Sequence, residues 1–313
     1  LGKRIEKPMN DFHVTVLGSN SAVPTSWHNP TSQLIHYKGK QFMVDCGEGT
    51  QMQMIRFRQK LRNLDHIMIS HLHGDHYYGL IGQINSMHLL RREKPLKIFA
   101  PRLLEKALLL QLEISNTRLE YKLEFNALED FEDKPLYSDH DLVIECFPLK
   151  HSVPVWGFLF REKLKARRLD KSFIEKYNPE VDQIKEIVKG GDFITPKGEV
   201  LANEIITLPP KPPRSYAFCS DTAYLEVTAD YVRGVNLLYH ESTFDESNRE
   251  LAVKTDHATA AQAAKVAKDA GAGKLLLGHY SARYNELELL LEEAREVFPE
   301  SYLSKEGETY TID

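Results

Sequence analysis

The chain has 313 residues, of which 42% are hydrophobic and 27% charged, and a formal net charge of −5; this suits one large or two small globular domains and excludes a disordered chain. No apolar run reaches the roughly 18 to 20 residues of a membrane-spanning helix, and residues 1–10 lack a signal peptide's apolar stretch, so a cytosolic protein without membrane contact is expected. Cys46, Cys146 and Cys219 form no CxxC pair, which argues against a disulfide framework and a thiolate zinc site, and the acidic balance argues against indiscriminate coating of nucleic acid.

Residues 12–18 read as a strand and residues 33–45 as a strand pair closed by a Lys38-Gly39-Lys40 turn. A helical pattern over 50–62 precedes an apolar strand at 66–70, and the loop after that strand holds His71, His73, Asp75 and His76. Next come a helix over 77–91, a strand over 96–100 and a helix opening at Pro101, whose ring suits a first helical turn. Strands at 141–148 and 155–161 flank His151, while strands at 216–220 and 237–240 lead to Asp221 and Glu241. A helix over 257–270, a strand over 274–277 leading into His279 and a helix over 285–298 complete the pattern. Alternating strands and helices in both halves predict a layered α/β sandwich, a single domain over 1–313. Residues 162–192 depart from the pattern. Lys163, Lys165, Arg167, Arg168 and Lys171 cluster there before an Asn178-Pro179 break, and the segment reads as an insertion, the bland version being a solvated pair of charged helices.

Four side chains of ligand type in one short loop are hard to obtain by chance. Imidazole nitrogen with carboxylate oxygen suits zinc, and also manganese or iron, whereas calcium demands a nearly all-oxygen shell. A solvated histidine-rich loop is the plain alternative, but Gly74 within the cluster also permits a tight turn. His151, Asp221 and His279, each following an apolar strand, are further donors.

The HxHxDH pattern followed by separate His, Asp and His residues resembles the metallo-β-lactamase superfamily over nearly the whole chain. The resemblance implies an αββα sandwich with a metal site along one edge of its sheets. It also implies that His71, His73 and His151 hold one metal, that Asp75, His76 and His279 hold a second, and that Asp221 bridges them; Asp75 counts among the catalytic residues as well. Asp45, in the Asp45-Cys46-Gly47-Glu48-Gly49-Thr50 run, matches an acidic motif whose aspartate supports a ligand histidine without binding metal, fixing the imidazole tautomer. Two zinc ions, or manganese or iron, about 3.5 to 4 Å apart would bring a shared water near neutral pKa for attack as hydroxide on a phosphodiester.

Within that superfamily the substrate stays open. Three segments, DCGEGTQMQM from Asp45, HESTF from His240 and LGHYSARY from Leu277, resemble in their order ribonuclease Z, the endonuclease that removes the 3′ trailer of precursor tRNA, leaving a 3′-hydroxyl on the tRNA and a 5′-phosphate on the trailer. The resemblance implies that Glu241 orients His257, which protonates the departing oxygen, a step worth about 10²–10⁴ in rate. Taken singly, His257 is equally a helix-capping or surface histidine and Glu241 a loop charge. The resemblance further implies that 162–192 is a flexible arm clamping the tRNA elbow, with Lys163, Lys165, Arg167, Arg168 and Lys171 on phosphates, and that the protein is a homodimer in which each arm serves the partner's site.

Two other readings stand beside this one: a dimetal enzyme acting on a small soluble ester, and a silent member that binds RNA or a partner protein. The complete set of apparent ligands counts against the silent member. Where the family loop reads Pro-x-Lys-x-Arg-Asn, this chain has Pro24-Thr25-Ser26-Trp27-His28-Asn29. Ser26 and His28 cannot grip phosphate as Lys and Arg do, which leaves open how tRNAs ending in CCA are treated. Trp27 is suited either to stacking on a base or to packing the loop. The arm likewise has Tyr177-Asn178-Pro179 and Gln183-Ile184-Lys185 in place of the family's Gly-Pro-rich tip and following Tyr-Gly-Lys-Leu-Lys.

Overall fold

Nearly every residue of strands Phe12–Gly18, Ser32–Tyr37 and Lys40–Cys46 is buried, as happens when a sheet is covered on both faces and its strands carry apolar residues on each side. The computed structural model describes residues 11–313, and residues 1–10, read above as lacking a leader's apolar stretch, lie outside them. Lys38 and Gly39 turn the second strand into the third with φ of 45° and 81°. That pair of positive angles defines a two-residue turn matching the twist of the strands.

The first sheet runs in the order Thr309–Thr311, Phe12–Gly18, Ser32–Tyr37, Lys40–Cys46, Leu64–Met68, Leu96–Ala100, Leu123–Ala127. It is antiparallel as far as Lys40–Cys46 and parallel beyond it. The second sheet runs Ser301–Leu303, Lys274–Gly278, Leu237–Glu241, Ser215–Cys219, Trp156–Glu162, Leu142–Pro148, Tyr137–Ser138, its first four strands parallel. The sheets face each other through Phe42 and Phe160, whose ring centroids lie 5.9 Å apart, and through the Tyr216 hydroxyl, which donates to Gln33.

Helices Thr50–Arg56, Leu80–Leu89 and Leu103–Ile114 cover the outer face of the first sheet. Leu104, Leu108 and Leu112, spaced by four, enter its core. Ala260–Ala270 and Glu288–Val297 cover the second sheet, and a row of buried alanines lets the first of these helices approach the strands closely. The result is the αββα layering expected from the alternation of elements.

Several boundaries differ from the sequence reading for local reasons. The helix expected over 50–62 ends at Arg56, where Arg58 adopts φ 55° and the Gln59 amide turns back to the Met54 carbonyl at 2.8 Å. The strand expected at 66–70 is Leu64–Met68. The stretch 77–91 splits into Gly74–Tyr77 and Leu80–Leu89 at Gly79. Leu123–Ala127 and Thr309–Thr311, polar and short, carry too little alternation to be read in advance.

The chain divides into two compact units. The main one comprises the chain up to Tyr137, Ile144–Phe160 and Ser215–Asp313; the second comprises Ser138–Val143 and Arg161–Arg214. The second has its own small core of Phe173, Ile187, Phe193 and Ile206, with helices Lys171–Tyr177 and Val181–Val188 separated at Asn178, whose φ is 42°. Its two long chain ends are tied together: the Glu162 amide donates to the Arg214 carbonyl at 2.9 Å, and the Glu162 carboxylate accepts from the Arg214 guanidinium at 2.8 and 3.0 Å. The charged segment 162–192 falls inside this unit.

Candidate metal centre

The residues singled out above come together at strand ends of the main unit. Asp45 lies near the end of Lys40–Cys46, Asp221 follows Ser215–Cys219, Glu241 ends Leu237–Glu241, and His279 follows Lys274–Gly278. Parallel register sets the last three strands abreast, with Cys219 beside His240 and Glu241 beside Gly278. Asp45 and His279 hold φ of 56° and 58°, a left-handed backbone costing roughly 1–3 kcal/mol that is tolerated where function requires it. A Cβ on Gly47 would lie 2.3 Å from the Asp75 carbonyl oxygen, and one on Gly79 would lie 2.2 Å from that of Gly47. These two glycines let the Asp45–Thr50 loop and the histidine loop touch.

Two groups of donor atoms result. In the first, His73 Nδ1 stands 3.2 Å from His71 Nε2 and 3.1 Å from His151 Nε2. In the second, His76 Nε2 and His279 Nε2 lie 3.4 and 3.7 Å from Asp75 Oδ2. Asp221 stands between the groups. Its Oδ2 faces His71 at 3.6 Å and His151 at 3.9 Å, and its Oδ1 faces His76 at 3.2 Å and His279 at 3.0 Å.

The outward nitrogens of four of these rings are engaged inside the protein. His76 Nδ1 donates to Asp45 Oδ2 at 2.7 Å and His151 Nδ1 to the Asp256 carbonyl at 2.9 Å. His71 Nδ1 meets the Ser70 hydroxyl at 3.0 Å and His279 Nδ1 the Thr243 hydroxyl at 2.9 Å. Asp45 in turn accepts the Ser70 amide and hydroxyl at 2.7 and 2.9 Å. Such partners turn the Nε2 lone pair of these four rings inward, while His73 faces the group through Nδ1.

The residues fit a pair of divalent cations on their own geometry. His76 Nε2 and His279 Nε2 are buried and make no hydrogen bond, and orphaned buried nitrogens of this kind call for a positive partner. The 3.1 and 3.2 Å spacings in the first group are close to the separation of about 3.3 Å that tetrahedral coordination at zinc–nitrogen bond lengths requires. All donors are nitrogen or carboxylate oxygen, a set suited to zinc, manganese or iron.

Electrostatics point the same way. Burial opposes charge on His76 and His279, yet Asp221 and Asp45 hold His76 well above the ordinary imidazole range, and Asp221 pushes His279 up to about 10. Burial likewise opposes ionisation of Asp221, but the His279, His76 and His71 rings hold it well below the usual carboxylate range. The cluster therefore demands positive charge, which protons or cations can supply.

Glu241 and His257 form a second arrangement beside this one. His257 Nδ1 lies 2.8 Å from Glu241 Oε1, and Glu241, fully buried, also accepts the Thr222 amide at 2.9 Å and the Thr243 amide at 3.0 Å. Burial opposes a charged His257, but Glu241 raises its pKa above the ordinary value. Helix Ala260–Ala270 begins after His257, because Thr259 and Gln262 form its capping box. His257 is thereby excluded as that helix's cap.

A cavity of about 620 Å³ opens over the donors, lined by His73, Asp75, His151, Asp221, His257 and Lys254 among others. Lys254, Ser70, Thr243 and Asp256 were passed over in the sequence. Thr243 stands within the HESTF segment, and Ser70 precedes the first histidine, so the signal for those two was adjacency to a motif. Ala22 to Pro24 line the same cavity, Trp27 is 83% exposed, and Thr25 Oγ1 accepts the Trp27 and His28 amides at 3.3 and 2.9 Å. In the second unit Lys163, Lys165, Arg168 and Lys171 are exposed, whereas Arg167 is half-buried and donates through Nε to the Thr207 hydroxyl at 2.6 Å.

Known proteins resemble this chain in sequence and in fold. Residues 12–187 match the family model described as anti-Pycsar protein Apyc1. A ribonuclease Z of Bacteroides fragilis is 43% identical over 96% of this chain and 98% of its own. Human tRNase Z, short form, superposes with a TM-score of 0.70 at 22% identity, covering 96% of this chain and 99% of that one. The metallo-β-lactamase fold protein YhfI of Bacillus subtilis superposes at 0.68 with 18% identity, over 96% of this chain and 99% of that one. The two superpositions establish the fold.

The αββα layers and the paired donor groups at their edge thus define a protein of the metallo-β-lactamase fold. By sequence identity over nearly its full length, the chain belongs to the ribonuclease Z family, and over residues 12–187 it also falls within the family described as anti-Pycsar protein Apyc1.

Proposed function

We propose that this protein is an endoribonuclease that removes the 3′ trailer from precursor tRNA, leaving a 3′-hydroxyl on the tRNA and a 5′-phosphate on the trailer. The observation that carries the reading is the Glu241–His257 pair, closed at 2.8 Å beside the Asp221 and His279 donors, in a chain 43% identical to a ribonuclease Z. His71, His73 and His151 would hold one divalent cation and Asp75, His76 and His279 the other, with one Asp221 oxygen directed to each. Such cations, when bound, supply a water of near-neutral pKa and positive charge against phosphoryl oxygens.

The chain's own groups do the rest. Asp45, Ser70, Asp256 and Thr243 hold His76, His71, His151 and His279 in the tautomer that presents Nε2. Glu241 accepts from His257 Nδ1, which leaves His257 Nε2 to carry the proton passed to the departing 3′ oxygen of the tRNA as the bond between phosphorus and that oxygen breaks. Lys163, Lys165, Arg168 and Lys171, all exposed, are the phosphate contacts we assign to the second unit, while Arg167, half-buried against Thr207, braces it.

Cleavage of two precursor tRNAs, with and without encoded CCA, mapped to one nucleotide, tests the activity directly. In the same assay His257→Ala is expected to lower kcat by about 10²–10⁴ while metal content stays that of the parent protein. A parallel loss of metal would make His257 a ligand, and no cut by the metal-loaded parent protein would overturn the function.

Zinc is the cation we favour, and the cytoplasm the location. Among the described residues no helix is long and apolar enough to cross a membrane. A homodimer belongs to the same reading. Met52, Ile55, Leu89, Leu103, Leu109 and Ile114, on the helices that cover the first sheet, are more than half exposed and are the apolar side chains available to such an interface. Equilibrium sedimentation should return twice the chain mass; a monomer at micromolar concentration would contradict it.

A further inference from the structure

The Thr243 hydroxyl touches three functional groups at once. Its oxygen lies 2.6 Å from Glu241 Oε2, 2.9 Å from His279 Nδ1 and 3.3 Å from His257 Nδ1. All of these partners belong to the main unit, and Thr243 itself is 2% exposed.

Donor counting assigns the protons. Glu241 is an acceptor when ionised, so the 2.6 Å contact takes the single hydroxyl proton of Thr243. Toward His279 the hydroxyl oxygen can then only accept. His279 Nδ1 must therefore carry the hydrogen, and Nε2 presents its lone pair toward Asp75 Oδ2 and Asp221 Oδ1 at 3.7 and 3.0 Å. On the other side, Glu241 Oε2 is held by the hydroxyl and by the Thr243 amide at 3.0 Å, which frees Oε1 for the Thr222 amide and for His257 at 2.9 and 2.8 Å.

We propose that Thr243 is a positioning residue whose hydroxyl couples the two halves of the site, fixing the cation-binding tautomer of His279 while holding the Glu241 carboxylate that orients His257. The proposal rests on the metal-dependent reading above and deepens it. Without the hydroxyl, His279 Nδ1 faces no acceptor in a buried site, and Glu241 loses a donor. A valine keeps the shape and the Thr243 amide bond and removes only this link.

The test compares Thr243→Val and Thr243→Ser with the parent protein. Binding of zinc and of manganese is measured by competition with a chromophoric chelator, and turnover is followed on precursor tRNA, whose departing ribose oxygen needs the proton that His257 holds. Thr243→Val should lower affinity for one of the two cations by about 10–100-fold and lower kcat at metal saturation with KM little changed, whereas Thr243→Ser restores both. Valine and serine variants that match the parent protein in affinity and kcat would overturn the proposal, as would equal damage by both. Should Thr243→Val fail to fold, judged by its circular dichroism, Thr243→Ala takes its place in the comparison. If the parent protein itself binds no divalent cation, the metal-dependent reading fails, independently of the Thr243 comparison.

Discussion

Asp221→Ala is expected to lower turnover of precursor tRNA by roughly 10³- to 10⁵-fold and to cost the protein most of its bound divalent metal. Among the described residues Asp221 is the one carboxylate that faces both donor groups, with Oδ1 at 3.0 and 3.2 Å from the second and Oδ2 at 3.6 and 3.9 Å from the first. Removing it leaves the first group with imidazoles alone and the second with Asp75 as its only acid. Exhaustive chelation of the parent protein should reproduce the loss, and returned zinc or manganese should reverse it. His73→Ala, which removes the nitrogen shared by two 3.1 to 3.2 Å contacts, should fall in the same class. Metal analysis alongside the turnover assay decides the matter: full activity after chelation, or an Asp221→Ala protein that keeps both cations and its rate, would sink the metal-dependent reading.

Deleting the inserted unit should separate two substrates. Glu162 and Arg214 are hydrogen-bonded to each other at its base, so a short turn can replace residues 163–213 without opening the strands that precede and follow them. A cut at 190 would leave Phe193 and Ile206 stripped of Phe173 and Ile187, the other half of their small core, and would test folding as much as binding. The clean deletion removes the exposed Lys163, Lys165, Arg168 and Lys171. Precursor tRNA cleavage is expected to weaken on the order of 100-fold, and the slope of log kcat/KM against log salt to become shallower by roughly 3, because about four phosphate contacts are lost at roughly 0.7–0.9 each. Hydrolysis of bis(p-nitrophenyl) phosphate, which is too small to reach such contacts, should be little changed. Equal loss on both substrates would mark the unit as structural.

The loop at Pro24–Asn29 shows where reading residue types stops. In the sequence, Ser26 and His28 stand where the family has cations, and Trp27 admits two roles. The structure leaves Trp27 83% exposed beside a loop that lines the cavity, so it does not pack its own loop. His28 stands 3.8 Å from Glu306, and Asn29 donates to that same carboxylate through its amide and side chain. Glu306 lies 277 positions from Asn29, a separation that no local pattern can bridge.

The sequence by itself determined the layered class, through strand and helix periodicity, and the candidate ligands, because four of them fall within six consecutive positions and the rest follow apolar strands. Those signals are local, and local patterns survive without knowledge of the fold. The resemblance already implied how the donors divide and that Glu241 orients His257; only the tertiary structure decided which Asp221 oxygen turns to which group, that Ser70, Asp256 and Thr243 engage the outward nitrogens, and that His257 lies ahead of its helix. Each of these depends on register between strands distant in the chain and on left-handed backbone at Asp45 and His279. Hydrogen-bond direction and tautomer are properties of atoms brought within 3 Å, and spacing along the chain does not encode them.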